Sequence, residues 1–411
     1  LFPYTTLFRS NIVTNVSVAK SFKNANTNAI IVNGGTLDVN NSVFSANKAS
    51  VIEAKSGANV TVNNSTFAAN NITSTTATAS GLIANSGTTT VTNSVFYNNK
   101  AENTSSTGNT TGAVLTNSAN VKSITDTQFV KNYTKSKNNA SGGAIYNTSN
   151  SKYNITADFI ENKTTGTASF LSGGAIRLQS GSIGTITGNF IRNSAGGSQG
   201  YGGAINIKTG AIDLIQGSFI DNSSTGGGGA VDIGNGARIT KITADFVGNI
   251  STGDAGGAVR SDYGTYGEIE GNFIGNYTSK NGGAIGMLGG TISSLSADFT
   301  GNSAGELGGA IYNNGTISSI KDSTFIGNYI VSNGSIFGGG AIYNSGIVTL
   351  IDNTEFRDNI IRSSGGAIYN TGTIDVISDS TFAWNKSTNN LGGAIYNTGT
   401  INKISDSIIE N

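Results

Sequence analysis

One repeat constrains this chain more than any other feature of its sequence. It is clearest in residues 308–328, GGAIYNNGTISSIKDSTFIGN, which begin with Gly-Gly-Ala-Ile and end with Phe-x-x-Asn. Repeats of this length that fill most of a chain are typical of solenoid proteins, in which each repeat stacks on the next. The Gly-Gly-Ala-Ile/Val element begins at Gly142, Gly173, Gly202, Gly228, Gly256, Gly282, Gly308, Gly339, Gly365 and Gly392, and the Phe-x-x-Asn element begins at Phe44, Phe67, Phe96, Phe129, Phe159, Phe190, Phe219, Phe246, Phe273, Phe299, Phe325, Phe356 and Phe382.

The distance between the two elements is fixed on one side and variable on the other. From the first Gly to the Phe is 17 residues in every repeat except residues 228–246, where it is 18, whereas from the Phe to the next Gly is 9 to 14. A fixed length indicates a wall that closes around a coil, and a variable length indicates a surface loop. Short β-branched clusters between Gly, Asn and Ser turns predict an all-β fold, a parallel β-helix (β-solenoid) of about fourteen coils with three short strands per coil.

The spacing of apolar residues before each Phe predicts where a coil bends. An Ile or Leu lies four residues before the Phe in some repeats and five before it in others. Four residues keep both side chains on one face of a strand, whereas five require a bulge or a turn between them. The spacing of four occurs at Ile155, Ile186, Ile215, Ile242, Ile269 and Leu295, and the spacing of five at Ile124, Ile320, Ile351 and Ile377.

The regularity of the repeat divides the chain into segments. Residues 1–10, LFPYTTLFRS, show no repeat and resemble a translated sequencing adapter, so we expect a non-native leader. Residues 11–411 are predicted to form a single solenoid, with degenerate coils at 11–141 and strict coils at 142–411. A disordered linker is the alternative for the degenerate part, although its phenylalanines favour coils. Counting 17 residues from Gly392 puts Ile409 in the Phe position and the matching Asn at position 412, so we expect a fragment that is open at both ends.

Composition excludes several classes of function. Lys and Arg together number 24, as do Asp and Glu, so the whole chain offers no electrostatic case for nucleic acid or an anionic membrane. The absence of Cys and His removes thiol catalysis, the commonest general base and the commonest metal ligand. No cofactor or metal is therefore expected. No run of 18 apolar residues occurs, so no transmembrane helix is expected.

The repeated Phe, Asn and Gly residues have structural interpretations. The Phe position is predicted to stack in the core, and the paired glycines to permit a tight corner between closely spaced coils. Asn tolerates left-handed backbone, and stacked Asn side chains hydrogen-bond along a rod. This predicts one ladder from the Asn of Phe-x-x-Asn and another from Asn147, Asn313, Asn344, Asn370 and Asn397.

Acidic residues are candidate catalytic groups, because parallel β-helices include polysaccharide hydrolases and lyases. Hydrolysis of a glycosidic bond requires two carboxylates in defined positions, one of them with a raised pKa. Each acid here occupies a repeated position at which other coils carry Ser, Thr, Gly, Asn or Lys, which is typical of a solvated face. We therefore expect no enzyme and no catalytic residue among Asp158, Asp245, Asp298, Glu161, Asp221 and Asp358.

Two features could bind a ligand. The first is the Tyr of GGAIYN, which faces outward if the preceding Ile faces the core, and which recurs at Tyr312, Tyr343, Tyr369 and Tyr396, with Tyr146 farther upstream. Such a row can contact sugars or proteins, or it can merely stabilise the wall; Arg177 and Arg260 hold the same position in other coils. The second is the set of longest loops, at residues 133–141, 163–172, 194–201 and 329–338.

The alternation of Gly-Gly-Ala-Ile/Val with Phe-x-x-Asn resembles the repeats of polymorphic outer-membrane proteins and of adhesin-like autotransporter passengers. The resemblance is strict over residues 142–411 and partial over about 40–142. It implies a right-handed parallel β-helix at the bacterial cell surface or outer membrane, or secreted outside the cell. It also implies a host or neighbouring-cell surface protein or glycan as partner, and an outer-membrane barrel following in the same protein. A β-helical polysaccharide-degrading lyase or glycoside hydrolase is the alternative, and a stalk without a ligand is a third.

Overall fold

The computed structural model describes residues 16–18, 21–75, 78–167, 170–331 and 338–411. Those residues form 52 β-strands and no helix, and so include no helical membrane span. The fold is the predicted parallel β-solenoid, with three strands in each of about twelve turns. The chain divides into two compact units, Leu1–Ile212 and Asp213–Asn411.

Three parallel sheets make up the wall of each unit, and we number them in the order in which a coil visits them. Sheet 1 contains the strand that follows the paired glycines. Sheet 2 contains the longer strands that end at the Phe of Phe-x-x-Asn. Sheet 3 contains the short strand that follows this motif. Each strand pairs with the equivalent strand of the neighbouring coil, which buries apolar side chains inside the coil.

In the first unit, sheet 1 contains Ile30–Val32, Ile52–Ala54, Ile83–Asn85, Leu115–Asn117, Ile145–Asn147, Ile176–Leu178 and Ile205–Ile207. Sheet 2 contains Val16–Val18, Ser21–Lys23, Gly35–Asn40, Val43–Ser45, Ala58–Asn63, Thr66–Ala68, Thr88–Thr92, Val95–Tyr97, Asn120–Val130, Asn154–Ile160 and Ser182–Ile191. Sheet 3 contains Asn71–Ser74, Lys100–Asn103, Tyr133–Ser136, Lys163–Gly166 and Ser194–Ala195.

In the second unit, sheet 1 contains Val231–Ile233, Val259–Ser261, Ile285–Met287, Ile311–Asn313, Ile342–Asn344, Ile368–Asn370 and Ile395–Asn397. Sheet 2 begins with Ala211–Ile220, which starts just before the unit, and continues with Arg238–Val247, Thr265–Ile274, Thr291–Thr300, Thr316–Ile317, Ile320–Ile326, Ile347–Arg357, Thr373–Ser378, Thr381–Ala383, Thr400–Ser405 and Ile408–Glu410. Sheet 3 contains Ser223–Ser224, Ile250–Ser251, Tyr277–Thr278, Ser303–Ala304, Tyr329–Ile330, Ile360–Ile361 and Lys386–Ser387.

The long loops of the first unit are more ordered than the sequence indicated. They form a fourth parallel sheet from the strands Asn109–Thr111, Asn139–Ser141, Phe170–Ser172 and Gln199–Tyr201. Stacked loops of similar length place their backbone groups opposite one another, so they pair as the wall strands do. In the loop at 329–338, residues 332–337 lie outside the described residues.

The predicted phenylalanine stack is confirmed in each unit. Neighbouring rings from Phe44 to Phe190 lie 4.5 to 5.2 Å apart between centroids, and those from Phe219 to Phe382 lie 4.6 to 4.9 Å apart. All of these rings are at most 1% exposed. Burial of a side chain of this size contributes roughly 1.5–3 kcal/mol, so the column is a large share of each unit's core.

The predicted asparagine ladder is also confirmed, and Asn302 shows its geometry. Its Nδ2 donates to Oδ1 of Asn328 in the following coil at 3.0 Å and to the carbonyl of Phe273 in the preceding coil at 2.8 Å. Its backbone N–H also donates to Oδ1 of Asn328, at 3.0 Å. The Oδ1 atom of Asn411 likewise accepts from Nδ2 of Asn385, at 3.0 Å.

The predicted bulges lie where the apolar spacing is five. The pairing register shifts between Ile124 and Thr127 and again beside Ile320, and the extra residue adopts left-handed backbone, with φ 49° at Asp126 and 47° at Asp322. Ser323, which follows Asp322, stabilises the bulge by donating a hydrogen bond from its Oγ to the carbonyl oxygen of Lys321 at 2.7 Å. One extra residue thus changes the bend without changing the circumference.

The paired glycines have two different roles, which Gly308 and Gly309 illustrate. Gly308 has φ 61°, a conformation that is costly for residues with a Cβ atom. A Cβ atom on Gly309 would lie 2.0 Å from the carbonyl oxygen of Gly340 in the next coil. The first glycine therefore permits the corner, and the second permits close approach of the coils.

Candidate functional site

The outward tyrosines of the second unit form one column on sheet 1. In the strands Ile311–Asn313, Ile342–Asn344 and Ile368–Asn370 the Ile and Asn are buried and the Tyr is half-buried, because alternate residues of a strand face opposite sides. Strand pairing aligns each of these tyrosines with the next. We call Tyr312, Tyr343, Tyr369 and Tyr396 the tyrosine row.

The rings of the tyrosine row stack on one another. Ring centroids are 5.6 Å apart for Tyr312 and Tyr343, 5.4 Å for Tyr343 and Tyr369, and 4.9 Å for Tyr369 and Tyr396, where the rings tilt by 44°. Because both faces of Tyr343 are covered by neighbouring rings, its exposed parts are the ring edge and the hydroxyl. The row therefore offers a strip of phenol edges for contact rather than flat platforms for stacking.

Burial changes the acidity of two phenols in the row. Desolvation raises the pKa of Tyr312 above its ordinary value of 10.0, although a hydrogen bond with Ser345 acts in the opposite direction. Desolvation likewise raises the pKa of Tyr369, with smaller contributions from the neighbouring Tyr396 and Tyr343. These hydroxyls are therefore neutral at physiological pH and can both donate and accept hydrogen bonds.

An ion-pair cluster lies on sheet 1 in the same column of outward-facing residues, in the coils that precede the tyrosine row in the chain. The pairing register runs from Asp232 to Arg260, then to Gly286 and Tyr312. Arg260 is 5% exposed and Asp232 4% exposed. The guanidinium donates to Asp232 at 2.8 Å and to Asp254 at 2.9 Å, and Asp262 lies 3.9 Å away. We call these four residues the arginine cluster.

The electrostatics of the arginine cluster favour its charged form. Burial opposes the charge of Arg260, but Asp232 and Asp254 outweigh that effect, so the pKa of Arg260 is raised. The hydroxyl of Tyr266, which is fully buried, donates to the carbonyl of Arg260 at 2.8 Å. The sequence interpretation noted Arg260 in this column but missed its partners. The signal was available, because Asp232 occupies the same repeat position one coil earlier.

The upstream tyrosine of the same motif, Tyr146, belongs to the first unit. It is half-buried, and desolvation raises its pKa while Arg177 in the next coil acts in the opposite direction. Arg177 donates to Oε1 of Gln179 at 3.0 and 3.2 Å. Within the first unit, sheet 1 thus places one tyrosine beside an arginine rather than in a row.

The acids before the Phe form hydrogen bonds between coils. Asp158 accepts from the backbone and side-chain N–H groups of Asn189, both at 3.0 Å. Asp245 accepts in the same way from Asn272, and Asp298 accepts from the Thr324 hydroxyl at 2.7 Å. These contacts join equivalent positions of adjacent coils, so they stabilise the outer wall.

The acids two residues after the Phe lie at a left-handed corner. The φ angle is 56° at Glu161, 53° at Asp221 and 56° at Asp358, and Gly248 and Trp384 adopt the same conformation at this position in other coils. The sequence interpretation did not recognise this corner. Frequent glycine at the position was the signal that it missed.

The described residues contain no group of three or more His, Cys, Asp or Glu side chains arranged to hold a metal ion. Their carboxylates are instead distributed along the wall, in ion pairs and in hydrogen bonds between coils. The arrangement can present hydroxyls, ring edges and charges in register, which is the chemistry of a binding surface.

Comparison with protein-family models, with curated proteins and with solved structures found no match to this chain.

Proposed function

We propose that this chain is an adhesin-like structural and interaction protein, displayed on a cell surface or secreted, and that the tyrosine row contacts its ligand. The supporting observation is the row itself, in which four aligned tyrosines present ring edges and hydroxyls along a rigid sheet. Tyrosine is enriched at the centres of protein interfaces because it combines apolar area with a polar end. The partner is a host or neighbouring-cell surface protein or glycan.

The acids support a binding role over polysaccharide degradation. Three of these acids each accept a hydrogen bond from the next coil: Asp158, Asp245 and Asp298. This structural role explains why acids occur at these positions without a catalytic role. A glycosidase needs one carboxyl group with a raised pKa beside an ionised one. The carboxyl groups of Glu161 and Glu270 have lowered pKa values, because Arg192 and Lys241 respectively hydrogen-bond to them.

The motif supports the proposed placement among polymorphic outer-membrane and autotransporter passenger repeats. Each element of Gly-Gly-Ala-Ile/Val and Phe-x-x-Asn has a structural role at a corner, in the core or in a ladder. The motif therefore serves the fold, and we propose that ligand contacts are made by the residues between its elements. The resemblance of the motif to those surface-exposed repeats is the reason that we propose export to the cell surface.

Cell binding by a labelled protein tests the proposal. In the variant Tyr343→Thr/Tyr369→Thr, threonine keeps the strand preference but removes the two central rings of the row. We expect binding to cultured animal cells and to bacterial cells, measured by flow cytometry, to weaken about tenfold or more for whichever cells the wild type binds.

The matched control is Tyr97→Thr/Ile250→Thr, which removes two large apolar side chains that are 44% and 40% exposed elsewhere on the wall. Both variants should keep the circular dichroism spectrum of the wild type. Equal binding by the row variant and the wild type would contradict the proposal. Release of sugars from a polysaccharide panel by the wild type would favour the degradative enzyme instead.

A further inference from the structure

The neutral total charge of this chain conceals two oppositely charged units. The first unit contains 15 Lys and Arg residues against 6 Asp and Glu, a formal charge of +9, and the second contains 9 against 18, a formal charge of −9. Such a separation creates fields that attract partners of opposite charge.

Sheet 3 of the first unit, with the corner that leads into it, holds a cluster of cations. Strand pairing places Lys100, Tyr133 and Lys163 in one outward column, and Glu102 and Lys135 in the next. The left-handed corner adds Lys131, Glu161 and Arg192 in consecutive coils. We call Lys100, Lys131, Lys135, Lys163 and Arg192 the basic face; with Glu102 and Glu161 it carries a formal charge of +3.

Two lysines of the basic face converge on one aromatic ring. The Nζ atoms of Lys100 and Lys163 lie 5.8 and 5.2 Å from the ring centroid of Tyr133, within the range of cation–π attraction. Lys100 also pairs with Glu102, whereas Lys163 has no carboxylate within ion-pair distance among the residues that the structure describes. The ring of Tyr133 therefore attracts both ammonium groups.

The acids within the basic face are already engaged. Glu102 bridges Lys100 and Lys135, and Glu161 lies 2.9 Å from Arg192 and 3.5 Å from Lys131. Partial burial opposes ionisation of Glu102, but hydrogen bonds from the two lysines outweigh it and lower its pKa. Each glutamate thus orders two cations and neutralises only one charge, which leaves a fixed positive surface.

We propose that the basic face binds an anionic polysaccharide. Equivalent positions two coils apart, such as Lys100 and Lys163 or Lys131 and Arg192, are separated by about 9.6 Å at ordinary strand spacing. This sparse array suits a polymer with an anionic group on each disaccharide, whose repeat is of comparable length. Proteins that bind duplex DNA neutralise roughly 6–10 phosphates, which is more than the formal charge of +3 on the basic face supplies.

Two other occupants fit the observations less well. Single-stranded nucleic acid binds through free aromatic faces, whereas the Tyr133 ring is flanked by two lysines. A second copy of the chain would dock through the acidic second unit, where several of the acids, for example Glu270 with Lys241 and Glu306 with Lys280, are already held in ion pairs. The proposal uses residues other than the tyrosine row and does not rest on the proposed function.

Titration calorimetry with the whole chain tests the proposal, with heparin and hyaluronate as anionic probes and dextran as the neutral one. We expect the wild type to bind an anionic probe, to ignore dextran and to weaken as salt is added. The variant Lys131→Gln/Lys163→Gln/Arg192→Gln should bind the anionic probe about tenfold more weakly or worse.

The matched control Lys23→Gln/Lys122→Gln/Lys208→Gln removes the same charge from exposed positions on other parts of the first unit. It should retain the affinity to within about twofold. Equal losses in both variants, or no binding of either anionic probe by the wild type, would overturn the proposal. Tighter binding to duplex DNA or to phosphatidylserine vesicles, or salt-dependent dimerisation that only the basic-face variant abolishes, would assign the face to that occupant instead.

The two proposals fail separately. The basic-face variant keeps the tyrosine row, and Tyr343→Thr/Tyr369→Thr keeps the basic face. Loss of heparin binding with unchanged cell binding, or the reverse, therefore identifies which surface each ligand uses.

Discussion

Arg260 donates from Nη1 to Oδ1 of Asp232 at 2.8 Å, and both side chains are almost fully buried. Removing the cation would leave the carboxylate of Asp232 buried without its strongest partner. We expect Arg260→Ala to lower the free energy of unfolding by about 3–5 kcal/mol. Guanidinium denaturation followed by circular dichroism measures the change.

The exposed Arg238 is the control for that prediction, and Arg238→Ala should change stability by less than about 0.5 kcal/mol. A double variant, Arg260→Met/Asp232→Leu, should recover much of the loss, because it removes both charges together. A single variant as stable as the wild type would show that Asp232 is solvated or protonated.

The asparagine ladder should be sensitive to one truncation. Asn302→Ala removes the oxygen that accepts from the backbone N–H and Nδ2 of Asn276 at 3.0 and 2.9 Å, and leaves both donors buried. Each unsatisfied donor costs about 1–3 kcal/mol, so we expect a loss of roughly 2–6 kcal/mol in unfolding free energy. The exposed Asn314→Ala is the comparison, and equal effects in the two variants would contradict a special role for the ladder.

Trp384 offers a stabilising substitution. It is 66% exposed and has φ 55°, a left-handed conformation that costs ordinary residues about 1–2 kcal/mol and asparagine less. We expect Trp384→Asn to raise the melting temperature, through a gain of about 1 kcal/mol, and Trp384→Val to lower it. If Trp384→Asn destabilised the protein, the indole would contribute more by packing than the backbone loses by strain.

Glu102 should make stability depend on pH in the acidic range. Its pKa is lowered below 4.5 in the folded protein, so the ionised form is the stabilised one. Its contribution is fully present above the unfolded pKa and is lost as pH falls through the folded pKa. The difference in unfolding free energy between the wild type and Glu102→Gln should therefore vanish in acid. A pKa above 4.5 for the Glu102 carboxyl group, measured by NMR titration of the folded protein, would contradict this prediction.

The fold could be predicted from the sequence because the same spacing of Gly, Phe and Asn recurs in many coils. Fixed spacing between Gly-Gly-Ala and Phe required a closed coil, and the change from four to five residues before the Phe located the bulges at Asp126 and Asp322. Both inferences used local sterics, which depend little on distant residues. The fourth sheet was missed because loop sequences such as residues 139–141 have no strand pattern of their own and pair only through stacking.

The surfaces were harder to predict than the core. The tyrosine row is placed by strand alternation, yet the stacking that covers its ring faces depends on side-chain angles that no spacing reveals. The arginine cluster combines Asp232 with Asp254 from a loop, so only part of it follows the repeat. The opposite charges of the two units could have been found from the sequence, but the net charge of the whole chain is zero and does not show them.

The asparagine ladder also determines how a unit opens. Each amide, such as that of Asn302, ties its own coil to the one before through Phe273 and to the one after through Asn328. A coil in the middle of a unit cannot detach without breaking bonds to both neighbours, so fraying starts where a coil has one neighbour. Amide hydrogen exchange should accordingly be slower at ladder asparagines such as Asn302, which are bonded to both neighbouring coils, than at ladder asparagines that are bonded to one.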